Sequence, residues 1–259
     1  MEEWQVKHRD VMKSFLNELN KQTNDLILKG GTALMFGYGL TRFSEDIDLD
    51  GTSRHNSKLK NVVEVFCNNN GYSYRIGKDT LTVERYFIHY GNVRKPLKIE
   101  SSYREHDKSF KHSVINGIKI YDINSLANMK ANAYLSRNKI RDMHDVSFIL
   151  NTYNKYMSEQ SKSVLSRAII SQGIENFDYI KNTQDDPLID IDKLESIFLK
   201  AYIEAERIES QATVKYNLLK EMEQGQNSTD SLDQLIERAI IQAKAENKKM
   251  IHMPIERSR

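Results

Sequence analysis

The feature that most constrains this chain is Lys29-Gly30-Gly31-Thr32, preceded by Leu26-Ile27-Leu28 and followed, after thirteen intervening residues, by Asp46-Ile47-Asp48-Leu49-Asp50. The apolar triplet predicts a short strand, and Thr32 to Tyr38 predicts a helix that Gly39 closes. Two glycines at that junction leave backbone N–H groups free at the helix N-terminus, where phosphate oxygens can sit; a Cβ there would block close approach. The next alternation predicts a strand with Asp46 and Asp48 on one face and Ile47 and Leu49 packed behind. Two carboxylates on one face repel each other unless a divalent cation lies between them. Mg²⁺ or Mn²⁺ with substrate phosphates suits that arrangement. Taken alone, Asp-x-Asp reads equally as a solvated strand edge. The glycine turn ahead of it favours phosphate and metal.

A two-metal centre calls for a third carboxylate on a neighbouring strand. Leu97-Lys98-Ile99-Glu100-Ser101 supplies Glu100, with Lys98 on the same face to neutralise it or contact a phosphate. The plain alternative is a surface Lys/Glu pair. Asp50 shares the direction of Asp46 and Asp48 but precedes Gly51, so it is expected behind the site or facing solvent. Further on, Lys130, Tyr134 and Arg137 share one helix face, followed by Arg141, Asp142 and Asp145, with Arg141 expected to pair with Asp145. Lys130 and Arg137 could grip phosphates while Asp142 or Asp145 holds them or assists proton transfer. From spacing alone the same residues read better as an ordinary charged helix face.

Around these motifs the pattern predicts helices over 4–20 and 57–68 and strands over 72–76, 80–90, 97–104 and 118–121. From Asp122, a plausible N-cap, it turns helical over 123–137, 141–153, 159–171, 191–209 and 230–246. The class is therefore α+β, with an α/β domain over 1–121 and a helical domain over 122–259 that completes the cleft. Gln224 to Asp230 reads as a linker, and the basic end from Lys248 to Arg259 as a mobile tail. Of the remaining signals, Cys67 fits a core position. His89, His106 and His112 lack zinc-ligand spacing, and Tyr72, Tyr74, Tyr86, Phe87 and Tyr90 suit sheet packing better than base stacking.

The formal net charge of +2 hides an uneven distribution. Residues 52–145 hold seventeen Lys/Arg against nine Asp/Glu, whereas both flanking stretches are acidic. A basic middle suits an anionic ligand such as NTP phosphates or a nucleic acid. No apolar run is long enough to span a bilayer, and a single cysteine fits a reducing compartment, so a cytoplasmic location is expected.

The run Lys29 to Leu34, then Thr41-Arg42-Phe43-Ser44-Glu45-Asp46-Ile47-Asp48-Leu49, resembles the AbiEii/AbiGii (MenT-like) nucleotidyltransferase toxins of the DNA polymerase β-like superfamily. Lys98-Ile99-Glu100 and the block from Leu126 through Lys130, Arg137 and Arg141-Asp142 to Asp145 follow in the family's order. The resemblance covers roughly residues 25–150. It implies a mixed-sheet lobe with a helical lobe behind it, Mg²⁺, an NTP and a toxin role in a bacterial toxin–antitoxin or phage-defence pair, with a cognate antitoxin possible. By the same resemblance Gly31 and Thr32 contact phosphate, with Gly30 beside them, and Asp46 and Asp48 bind metal. Lys130 contacts phosphate, and Asp142 or Asp145 completes the site. The expected reaction moves NMP from an NTP to an acceptor, RNA or tRNA foremost. A small-molecule nucleotidyltransferase of the antibiotic-modifying sort, or an inert nucleotide- or RNA-binding protein, are the alternatives. The intact acid pair speaks against inertness.

Overall fold

A computed structural model describes residues 2–91, 95–104 and 109–223. His106, the linker at 224–230, the helix over 230–246 and the tail lie outside them. The chain opens with α1 (Glu3–Gln22), whose face of Val11, Met12, Phe15, Leu16 and Leu19 enters the core. Next come β1 (Leu26–Lys29), α2 (Gly30–Tyr38), β2 (Asp46–Gly51) and α3 (Leu59–Asn70). Strands β3 (Ser73–Asp79), β4 (Val83–His89), β5 (Leu97–Ser102), β6 (His112–Ile115) and β7 (Ile118–Tyr121) complete the sheet. The rest is helical: α4 (Ile123–Arg137), α5 (Ile140–Tyr153), α6 (Glu159–Gln172), α7 (Glu175–Thr183) and α8 (Ile191–Glu223). The class is α+β, as the sequence implies.

Seven strands form one mixed sheet in the order β3-β4-β5-β2-β1-β7-β6. The meander β3-β4-β5 is antiparallel, but β5 then lies parallel to β2. Asp122 does cap α4, accepting from the Ser125 amide. The exposed edge strand β6, the nine-residue α7 and a single 3-10 turn over Asn154–Tyr156 escape the sequence pattern. Helix α8 also runs well past residue 209.

One apolar cluster runs from α1 and α3 through the sheet to α4, α5, α6 and α8, and it includes Cys67. Tyr86 and Tyr90 are fully buried, and Tyr72 and Tyr74 pack against the same core. Phe87 is on the other face of the sheet and takes no part in it. Among the described residues no helix is long and apolar enough to cross a membrane.

Candidate active site

Strand β1 delivers the chain to Gly30, whose φ of +76° lies in the left-handed region that favours glycine. A Cβ there would come 3.1 Å from Asp48 Oδ2. At Gly31 a Cβ would meet the Arg42 guanidinium at 2.7 Å and Ser44 Oγ at 2.8 Å. The second glycine is therefore required by the arginine lying over it. No side chain caps α2, so the first amides of the helix are free of a side-chain acceptor, as an anion site needs. Thr32 is not in the cleft. It is buried, and its hydroxyl donates to the carbonyl of Asp46 and lies 2.9 Å from Ser44 Oγ, whose own hydroxyl can donate to it. Its side chain thus fixes the backbone of the acidic strand.

On β2, Asp46 and Asp48 share a face and remain half-exposed, while Ile47 and Leu49 are buried behind them. Parallel pairing sets Lys98 beside Asp46 and Glu100 beside Asp48, so all four lie on one patch of sheet. The expectation that Lys98 neutralises Glu100 is not met. Lys98 Nζ is 2.8 Å from Asp46 Oδ2 and 4.0 Å from Asp48 Oδ1, and Glu100 pairs with Arg85 on β4 at 2.5 Å. A flexible lysine takes the denser negative field, and the cross-strand arginine takes what remains. Burial raises the Asp48 carboxyl, and Asp46 and Glu100 add to the shift against Lys98 and Lys29. Its side chain nonetheless lines the cleft and is 38% open. Burial alone would lower the Lys98 ammonium, but the surrounding carboxylates outweigh it and raise it.

Asp50 does not face solvent. It is buried, paired with Lys29 at 2.5 Å, and accepts from the Tyr121 hydroxyl at 3.2 Å.

The helical side is a closed charge network. Asp145 is fully buried and takes a two-pronged grip from Arg42, with Nε and Nη2 each at 2.7 Å. Lys130 Nζ approaches the same carboxylate at 2.6 Å and lies 3.8 Å from Asp142, which also holds Arg137 at 2.7 Å. Burial opposes the Asp145 charge, but Lys130 and Arg42 overcome it and hold the carboxyl far below its usual range. The expected Arg141–Asp145 pair is absent. Arg141 turns outward to Asp186 and to Glu45 at 3.3 Å, because Arg42, 103 positions away in sequence, already satisfies Asp145.

These residues enclose a cleft of about 680 Å³. Gly31, Asp46, Asp48, Lys98 and Glu100 form one wall, Lys130, Arg137 and Asp142 another, and Thr183 to Asp186 a third. Asp145 lies behind that surface. Sequence reasoning missed the third wall, Arg42 and Arg85. Arg42 sits inside the acidic motif's own lead-in, but nothing local marks its partner. A cavity of about 780 Å³ on the other side of Arg42 is larger, yet it holds neither the glycine turn nor the acid pair.

No three acid, histidine or cysteine side chains converge as a ready metal cage among the described residues. Asp46 and Asp48 nonetheless fit a divalent ion. They are adjacent same-face carboxylates, and the group drawn against them is a cation, Lys98.

A mixed sheet with an uncapped Gly-Gly helix start facing an Asp-x-Asp strand, closed by a helical wall of bases, defines a nucleotidyltransferase. The sequence matches the family described as nucleotidyl transferase AbiEii toxin, type IV toxin–antitoxin system, over residues 14–238, and the chain belongs to that family. The structure is similar to JHP933 from Helicobacter pylori, with 27% identity and a TM-score of 0.69 across 86% of this chain and 99% of that one. It is also similar to a candidate nucleotidyltransferase from H. pylori, with 27% identity and a TM-score of 0.67 across 82% and 97%. No curated protein matches the sequence. The family is one of toxins, so an antitoxin counterpart is implied.

Proposed function

We propose that this toxin transfers a nucleoside monophosphate from an NTP to RNA, tRNA foremost, in a reaction that needs Mg²⁺ or Mn²⁺. The observation that carries the reading is the register of β2 and β5, which sets Asp46 and Asp48 beside Lys98 and Glu100 at the mouth of the uncapped helix α2. Asp46 and Asp48 would hold the metal, with Glu100 as third ligand or proton acceptor once released from Arg85. Bound there, a divalent ion would supply Lewis-acid chemistry, neutralising charge at the α-phosphate and lowering the pKa of the attacking hydroxyl, with pyrophosphate as the leaving group. The amides of Gly30 and Gly31 receive phosphate oxygens at the helix start. Lys130, Arg137 and Lys98 supply positive charge around the remaining phosphates. Asp142 and Asp145 orient Lys130 and Arg137 from behind, and Thr32 and Ser44 keep the Asp46 backbone in place.

The reading is tested by incubating the protein with Mg²⁺ and each labelled NTP in turn, offering total RNA and, separately, a panel of small hydroxylated molecules. Label entering RNA supports it. Label entering only small molecules removes RNA as the acceptor and leaves the catalytic centre standing.

A further inference from the structure

The sheet carries a second ordered set of side chains beside the acid pair. Cross-strand register places Arg75, Phe87, Lys98 and Asp46 in one line across β3, β4, β5 and β2. Next to it, Lys78, Arg85, Glu100 and Asp48 form a second line. Strands lie about 4.8 Å apart, so Phe87 stands about 10 Å from the Asp46 position and Arg75 about 14 Å.

This face differs from its reverse. On the reverse, Tyr74 and Tyr86 meet edge-to-face and Tyr74 donates to Glu64 of α3, so those aromatics pack the core. Phe87 has no such role. Its ring lies across Gly77, where a Cβ would come within 2.4 Å, and the Arg75 guanidinium stacks over it at 3.9 Å from the ring centre. Arg75 and Lys78 are exposed, and Arg85 and Lys98 are half-exposed. The result is a flat cation backed by an aromatic ring, flanked by further cations, on an open face leading straight to the catalytic carboxylates.

From this juxtaposition we infer that the β5-β4-β3 face is the acceptor track, and that it takes the unpaired end of an RNA. The inference rests on the RNA reading above and specifies how the acceptor is held. Unpaired bases stack on aromatic rings and on arginine planes, which the Arg75–Phe87 stack offers, while Lys78, Arg85 and Lys98 follow the backbone phosphates. A duplex keeps its bases stacked inside and gains nothing from Arg75 and Phe87 beyond charge. An acidic protein partner would likewise use the cations but leave the ring idle.

The test measures fluorescence anisotropy of a labelled single-stranded oligoribonucleotide of about 12 nucleotides, and of the same sequence as a blunt duplex. The proteins are wild type, Arg75→Gln, Phe87→Leu and, as a control on α3, Lys60→Gln. Phe87→Leu keeps an apolar cover over Gly77 and removes the ring; Arg75→Gln is at an exposed position and leaves the core untouched. Expected are preference for the single strand, about tenfold weaker binding in each track variant, the size of one lost stacked base, and no change in Lys60→Gln. In transfer assays the acceptor KM rises in parallel while the NTP KM holds. If wild type binds and uses the RNA but both track variants match it, or if the blunt duplex binds better, the track is wrong and the RNA reading survives. If wild type neither binds nor modifies RNA at low salt, the RNA reading falls and takes the track with it.

Discussion

Two charge clusters face each other across the cleft, and they are built in opposite ways. Between α4, α5 and the segment before β2, Arg42, Lys130, Asp142 and Asp145 are each under a tenth exposed, and every charge meets an opposite one. On β2 and β5, Asp46 and Asp48 are about a third open, and the two carboxylates share the ammonium of Lys98. A closed, neutralised cluster chiefly holds geometry, here fixing Lys130 at the cleft wall. An open cluster with unbalanced negative charge calls for a cation, and it is there that we place the chemistry. Substitutions in the two clusters should therefore fail in different currencies, one in stability and the other in activity.

The largest effect is expected at the open cluster. Asp46→Ala or Asp48→Ala should bring NMP transfer to background while thermal stability holds or rises slightly, since carboxylate repulsion is relieved. Expression of wild type should slow bacterial growth and Asp48→Ala should not; equal harm from both would break the link between site and toxicity. Asp145→Ala should show the reverse pattern. Removing it strands two buried cations, a loss of about 3–5 kcal/mol in denaturant unfolding. A fully stable Asp145→Ala protein that has simply lost activity would erase the distinction.

The third prediction sharpens the closed side. Burial lowers His144, next to Asp145, to about 4, and its Nδ1 has no hydrogen-bond partner. The native state keeps this imidazole neutral, while the unfolded chain takes up a proton near the ordinary value of 6.5. Stability from this group is full above about pH 6.5 and drains as pH falls toward about 4, by on the order of 3 kcal/mol. His144→Asn should flatten that part of the stability–pH curve; an unchanged slope would move its origin elsewhere.

The smallest effect concerns Lys98. If it stands in for the divalent ion, Lys98→Met should tighten Mn²⁺ binding to the protein without nucleotide severalfold, as expected for a half-exposed charge pair. Weaker binding, read by calorimetry or by the Mn²⁺ resonance signal, would argue that the lysine supports the metal instead of competing with it.

The open cluster was more legible in the sequence than the closed one. Asp46 and Asp48 sit two apart on one strand, and the glycines stand at a strand-to-helix junction, so local periodicity suffices. Glu100 followed from the same alternation. Its true partner Arg85 did not, because that pair depends on which strand lies alongside. The parallel neighbour relation of β2 and β5 crosses two intervening strands and leaves no local trace. On the helices, spacing suggested Arg141 with Asp145, a sound local rule that lost to a two-pronged grip from Arg42, 103 positions away. Strand β6, four residues at the sheet edge with little burial, has no alternation to reveal it. Phe87 reads like its aromatic neighbours in sequence, and only the face it occupies separates it from them.

The central claim is that the open carboxylates of β2 carry nucleotidyl transfer. It is tested most directly by following label from an α-labelled NTP into acceptor with wild type and Asp48→Asn, each with Mg²⁺ and with a chelator. The account predicts incorporation by wild type with Mg²⁺ and none in the other three reactions, with both proteins equally folded by circular dichroism. Incorporation by a folded Asp48→Asn protein at the wild-type rate, or by wild type in the presence of chelator, would contradict it.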